Sequence, residues 1–243
     1  MTEMSALRET AEAWLAAEPD ADMREELGAL LHGSEQELRD RFTGRLQFGT
    51  AGLRAAVGVG PQRMNRLVVQ QAAAGLVEYL LAHVPDVADA GVLIGYDMRR
   101  KSDAFALDTA RVCAARGVKA LLFDQIVPTP VLAWNITALG AAAGVMVTAS
   151  HNPPADNGYK VYLATGAQIV PPADSDISAC IDDVDLTSVE LASPDHPLIQ
   201  YVGAEEIEAY LAAVPAVRLL PNLPGVASAY TALHGVGGAT MLA

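Results

Sequence analysis

The chain has 243 residues, 51% of them hydrophobic, enough for one large or two small packed domains. Its formal net charge of −13 argues against nucleic acid or an anionic membrane as partner, so an anionic ligand would need a local basic cluster. Two distant cysteines, Cys113 and Cys180, match no metal-ligand spacing, and Met1–Thr10 lacks the apolar core of a signal peptide; a reduced, cytoplasmic compartment is expected.

In chain order, residues 1–44 read as a helical, peripheral extension. Trp14 and Leu15 share an amphipathic stretch, and a second helix begins near Asp22 with Glu25 at capping-box spacing. A Gly-rich segment, Phe48–Arg54, precedes a helix over Leu67–His83. A strand Val92–Tyr96, a helix Asp103–Arg116, a strand Lys119–Phe123, a helix Thr129–Leu139 and a buried strand Ala142–Val147 follow. Cys113 falls among Ala and Val in the second of these helices and reads as a buried, inert thiol. The uncharged run Gln125–Ser150 is not a membrane span, because Pro128, Pro130, Asn135, Thr137 and Gly140 interrupt it. Beyond it, Asn157-Gly158 predicts a turn into a second strand-like segment with Lys160 at its start. Val184–Leu198 reads as loop, Glu205–Val214 as helix, and Gly225–Ala232 as a new strand after Pro221 and Pro224. The alternation predicts a layered α/β domain with a mixed sheet between helices, plus the helical N-terminal extension and the start of a second α/β domain.

The stretch Thr148-Ala149-Ser150-His151-Asn152-Pro153-Pro154 carries the chemistry. Ser150, which alone reads as a structural loop serine, offers a hydroxyl nucleophile on a loop at a strand's carboxyl end, where open α/β sheets place their ligand crevices, and the two prolines stiffen the chain beyond it. No Gly-x-Ser-x-Gly elbow surrounds it, and a base adjacent in sequence, His151, is poorly placed for a triad. A phosphoryl group fits better: a phosphoserine carries nearly two negative charges and calls for a divalent cation and cationic side chains. Lys160 can stabilise phosphate as a point charge, or exchange a proton if cationic neighbours depress its pKa; alone it reads as a solvent-facing lysine on an edge strand. Arg54 follows Gly49 and Gly52, which allow close approach to an anion that its guanidinium can grip; alone it reads equally as an exposed arginine after a glycine turn. Asn152 orients the loop by local hydrogen bonds. Asp97 and Arg99 either support the serine loop by ion pairing or form a strand-end turn, and Arg100 and Lys101 read as a solvated basic patch.

Together with Phe48-Gly49-Thr50-Ala51-Gly52-Leu53-Arg54 and Gly95-Tyr96-Asp97-Met98-Arg99, in this order, the serine stretch resembles the α-D-phosphohexomutase superfamily of phosphoglucomutases and phosphomannomutases. The resemblance covers about Arg45 onward. It implies that Ser150 is phosphorylated in the resting enzyme and that a phosphoserine oxygen ligates Mg²⁺. Ser150, Lys160, Arg54 and His151 are then catalytic, with Thr50, Gly52 and Asn152 on the phosphate-binding side. The implied reaction interconverts a hexose 1-phosphate and a hexose 6-phosphate, of glucose or mannose, through a hexose 1,6-bisphosphate that also serves as activator. Residues 45–203 correspond to the family's first domain and 204–243 to the start of its second, so the chain reads as an amino-terminal fragment, inactive alone. The remaining Mg²⁺ ligands, the sugar-reading loop and the distal phosphate clamp would lie outside it. Asp20-Ala21-Asp22-Met23-Arg24 only mimics a metal loop and is better explained by helix capping, and Asp183-Val184-Asp185 by solvated loop. Other readings are a phosphopentomutase or sugar-bisphosphate synthase of the same superfamily, a non-catalytic phosphosugar-binding domain, and a phosphatase.

Overall fold

In the computed structural model, which describes residues 3–220, 225 and 227–243, three helices come first: α1 (Glu3–Ala17), α2 (Ala21–Leu31) and α3 (Glu35–Phe42). The Ser34 side chain accepts from the Glu37 N–H and caps α3, satisfying a donor the helix itself cannot. The expected Asp22–Glu25 capping box does not form. Helix α2 starts at Ala21, and Asp20, in the N-cap position, makes no side-chain cap bond. Both carboxylates instead meet cations, Asp20 pairing with Arg66 and Lys101, and Asp22 with Arg100 and Lys101. Lys101 is therefore not part of a solvated patch, its pair with Asp20 being largely shielded, whereas Arg100 stays solvent-exposed while it pairs with Asp22.

Nor is the extension peripheral in its packing. Met23, Leu27 and Leu38 are buried and Trp14 meets Phe42 edge-on at 5.8 Å, all within the main hydrophobic cluster. Truncating such a side chain, for example Leu27→Ala, costs about 2–5 kcal/mol.

The elements that follow are β1 (Leu53–Ala56), α4 (Arg66–His83), α5 (Val87–Ala90), β2 (Val92–Tyr96), α6 (Ser102–Ala115), β3 (Ala120–Phe123), α7 (Thr129–Ala138), β4 (Ala143–Val147), β5 (Asp156–Leu163), α8 (Ala173–Asp182), β6 (Ile199–Val202), α9 (Ala204–Ala213) and α10 (Gly238–Leu242). The strands form one mixed sheet in the order β1-β5-β4-β2-β3-β6, parallel from β4 through β6 and antiparallel where β5 meets β4 and β1. Strand period decides which core each side chain joins. Val92, Ile94, Val145 and Val147 face the larger cluster with α4 and α6, while Leu93, Met146 and Tyr162 face a smaller one under α7. Strands covered on both faces read as unbroken apolar runs, which is why β2 and β4 are legible in the sequence. Cys113 is fully buried, and burial pushes its thiol up to about 12, consistent with an inert core residue.

Several local expectations need correction. Asn157-Gly158 is not a turn but part of β5; the reversal occurs earlier, where the Asp156 N–H donates to the Pro153 carbonyl at 3.0 Å. Lys160 consequently sits in mid-strand, and β5 is an interior strand between β1 and β4 rather than an edge. Strands β1 and β6 and helix α8 are additions to the expected elements. The two strands are only four residues long, and pairing with β5 and β3 defines them more than propensity does. Of the expected strand Gly225–Ala232, Gly225 and residues 227–232 form no strand, and Val226 lies outside the described residues, as do Pro221 and Pro224. A strand needs a partner for its backbone groups, and none pairs with this segment among the described residues. Among the described residues no helix is long and apolar enough to cross a membrane.

Candidate active site

The carboxyl ends of β2 and β4 are adjacent, so the loops that leave them meet. From β4 the chain continues through buried Thr148 and Ala149 to Ser150, whose side chain is exposed. Ser150 has φ 57°, a left-handed conformation uncommon for a residue with a side chain and one that a surrounding structure must hold. The hold is visible. The Thr148 hydroxyl accepts from the Ser150 N–H at 2.9 Å, and the Ala149 carbonyl accepts from the Asn152 N–H at 3.1 Å.

The strongest support comes from the β2 side. Arg99 donates through Nη1 to the carbonyls of Pro153 (2.8 Å) and Asp156 (2.9 Å), and through Nη2 to those of Ser150 (3.0 Å) and Asn152 (2.8 Å). Asp97 steadies this arginine, accepting from the Arg99 N–H at 3.0 Å and from the Ser102 hydroxyl at 2.8 Å, with Arg99 Nε 3.4 Å from its other oxygen. Arg99 thus holds the loop through carbonyls rather than by ion pairing with it; its pairing is with Asp97.

On the other flank, Gly52 carries φ +75° and lies so close to β5 that a Cβ would come within 1.8 Å of the Tyr159 carbonyl; its N–H donates to the Gly49 carbonyl at 2.7 Å. This tight junction starts β1. In its register Leu53 opposes Tyr159 and Arg54 opposes Gly158. Lys160 is two residues beyond Gly158, so Arg54 and Lys160 project from the same face. Gly158 is itself sterically required, since a Cβ there would come within 2.6 Å of the Thr148 carbonyl.

Arg54 is exposed and donates through Nη1 to Asn152 Oδ1 at 3.0 Å, while Asn152 Nδ2 donates to Asp156 at 2.8 Å. Asn152 therefore bridges Arg54 to the base of its own loop. Lys160 is half-buried and makes no hydrogen bond or ion pair among the described residues. Burial lowers its pKa, Arg54's charge lowers it further, and Asp97 opposes both. His151 Nδ1 lies 3.4 Å from Ser150 Oγ, both exposed, without a carboxylate orienting the ring among the described residues. Thr50 is exposed on its side-chain side, and its carbonyl accepts from Gln168 at 2.7 Å.

Sequence reasoning missed Asn157. It is buried and donates to the Arg100 carbonyl and to Ser102 Oγ, both at 3.0 Å, tying β5 to the turn that carries Arg99. An Asn-Gly pair read as a turn hid it. Shape would also misdirect a search: a cavity of about 420 Å³ lies against Ala74, Arg116 and Cys180, away from the serine loop.

For a divalent cation, the described residues contain no group of three or more His, Cys, Asp or Glu side chains able to hold one. Asp97 and Asp156 are engaged by Ser102, Arg99 and Asn152. Around Ser150 the described side chains therefore supply no ready-made set of cation ligands.

Residues 45–188 match the family described as phosphoglucomutase/phosphomannomutase, alpha/beta/alpha domain I. A protein of Schizosaccharomyces pombe named "probable phosphoribomutase" is 46% identical over 177 residues, covering 72% of this chain and 30% of that protein. A "probable phosphomannomutase" of Haemophilus influenzae is 47% identical, covering 72% of this chain and 36% of that protein. Human glucose 1,6-bisphosphate synthase is 43% identical over 70% of this chain and 28% of its own length. The crystal structure of a Thermus thermophilus protein, described as a candidate phosphomannomutase, superposes with a TM-score of 0.56 at 30% identity, covering 71% of this chain and 36% of that one. The chain spans about a third of the length of the curated relatives it matches.

Proposed function

Since the chain belongs to the phosphoglucomutase/phosphomannomutase family, whose α/β/α domain I it carries, we propose that Ser150 is the phosphoryl carrier of a sugar-phosphate mutase. One observation carries the reading: an exposed serine is held by backbone-directed bonds beside two cations, Arg54 and Lys160, on one face of the sheet.

In the proposed cycle, a hydroxyl oxygen of the sugar monophosphate forms a bond to phosphorus as the Ser150 O–P bond breaks. Arg54 grips the transferring oxygens through the N–H groups that Asn152 leaves free. Lys160, with its pKa lowered by burial and by Arg54, accepts the sugar proton in its neutral form or stabilises the phosphoryl charge in its protonated form. The proton taken from the sugar ends on the Ser150 oxygen, leaving serine and a sugar bisphosphate. Transfer of the other phosphate back to Ser150 closes the cycle. Thr50, Gly52 and His151 complete the phosphate-facing side.

A phosphorylated Ser150 would give one oxygen to a divalent cation, for which Mg²⁺ is the proposed ion, supplying charge neutralisation to the phosphoryl group. We assign residues 45–203 to the first domain and 204–243 to the start of the next, and propose that a 243-residue chain does not turn over alone. The substrate reading is a hexose phosphate, with hexose 1,6-bisphosphate as activator, in the cytoplasm. The relatives named phosphoribomutase and glucose 1,6-bisphosphate synthase support pentose-phosphate and bisphosphate-forming variants of the same chemistry.

Mass spectrometry of the native full-length protein tests the assignment. Phosphate on Ser150 that exchanges with labelled hexose 1,6-bisphosphate is the expected result. Turnover with Ser150 unphosphorylated throughout would exclude it, and an unphosphorylated, inactive protein that still binds sugar phosphate would favour a binding domain.

A further inference from the structure

Residues 3–42 lie outside the matched family segment, yet their charges reach the turn that holds the serine loop. Asp20 accepts from Lys101 Nζ at 2.7 Å and from Arg66 at 3.2 Å; Asp22 accepts from Lys101 at 3.0 Å and from Arg100 at 2.7 Å. The Asp20–Lys101 pair is largely shielded, with side chains 17% and 15% exposed. Lys101 has φ 64°, again the left-handed region that a lysine enters only when held. From Lys101 the connections run inward. The Arg100 carbonyl accepts from Asn157, Asn157 donates to Ser102, Ser102 donates to Asp97, and Asp97 steadies Arg99, whose guanidinium reaches the carbonyls of Ser150 and Asn152.

We propose that Asp20 and Asp22 are positioning residues for the Ser150 loop: by gripping Lys101 and Arg100 they hold the 97–102 turn in the shape that aims Arg99 at the loop carbonyls. The helical extension is then a latch on the site as well as a part of the core. The inference rests on the phosphoryl-transfer reading only in calling this loop the reactive one.

Amide hydrogen exchange in the full chain tests the latch. Asp20→Asn combined with Asp22→Asn is expected to speed exchange at the hydrogen-bonded N–H groups of Ser150, Asn152 and Asp156 on the order of tenfold, with α4 unchanged beyond its first turn, where Arg66 meets Asp20. Adding Lys101→Gly, which takes the left-handed turn without needing to be held, is expected to restore protection. Unchanged loop exchange, equal acceleration in the loop and α4, or failure of Lys101→Gly to restore protection would each overturn the proposal. If the double variant does not fold, Asp22→Asn alone, whose side chain is 51% exposed, is read by the same criteria. Exchange does not depend on turnover, so the latch can fail while the phosphoryl-transfer reading stands, and an unphosphorylated Ser150 would sink that reading without touching the latch.

Discussion

On the β2 side of the serine loop, the Arg99 guanidinium points inward and donates to the carbonyls of Pro153, Asp156, Ser150 and Asn152. On the β1–β5 side, Arg54 makes a single side-chain bond to Asn152, and Lys160 makes none among the described residues. The two flanks carry the same sign of charge and use it differently. A guanidinium whose terminal donors are all bonded to backbone fixes a shape and has little capacity left for a phosphate. A half-buried ammonium without a partner keeps its capacity, at the cost of a lowered pKa. Charge near a nucleophile therefore does not identify a ligand contact until its donors have been counted.

Substitutions can separate holding from reaching. Removing the hydroxyl proposed as nucleophile sets the outer limit. Ser150→Ala in the full-length protein is expected to lower turnover by about 10⁴-fold or more while costing less than about 1 kcal/mol of stability. Steady-state assays and denaturant unfolding measure the two quantities, and near-normal turnover by a folded variant would show that phosphate bypasses this residue.

On the reaching side, Arg54→Ala and Lys160→Ala are each expected to reduce kcat by roughly 10²–10³-fold with a smaller rise in KM, because the proposed role of both groups is to act on charge that develops during transfer. Their melting temperatures should stay close to that of the parent. A rise in KM alone would recast either residue as a substrate anchor.

Arg99→Leu should behave in the opposite sense. Losing four charge-assisted bonds to exposed and part-buried loop carbonyls is expected to cost about 1–3 kcal/mol of stability, with turnover falling through disorder of the loop rather than loss of a phosphate contact. If Arg99→Leu kept parental stability and lost only kcat, the distinction between the flanks would collapse.

The smallest effect is a shift in pH dependence. Lys160 loses its proton more readily than a free lysine, first through burial and then through Arg54's positive charge. If neutral Lys160 takes the sugar proton, activity rises with pH through its pKa. Arg54→Gln removes one of the two lowering influences, so the pKa rises and the limb moves to higher pH, with burial still holding it below the ordinary lysine value. A limb unmoved in Arg54→Gln, and still present in Lys160→Ala, would assign the titration to another group.

Much of this arrangement is legible from residue order. Continuous apolar runs that end at the polar residues Asp97 and Thr148 mark β2 and β4, because strands buried on both faces leave little room for polar residues. Thr148 to Pro154 following such a run marks an exposed hydroxyl at a strand end, and residues 45–188 carry a family pattern dense enough to match. What sequence could not supply was the partner of each polar group. Asp20 and Asp22 look like capping residues because capping is a local interaction, and their true partners, Arg66, Arg100 and Lys101, are far along the chain. Asn157-Gly158 looks like a turn for the same reason, although β5 absorbs it once Thr148 and Leu53 pack against Gly158. Whether Lys160 is an edge lysine or a half-buried one depended on β1 pairing outside β5. Local patterns determine which segments are helix, strand and reactive loop, since those signals decay within a few residues. Tertiary structure alone decided which cations hold and which are free, since a donor's capacity is set by acceptors that only the folded chain brings within reach.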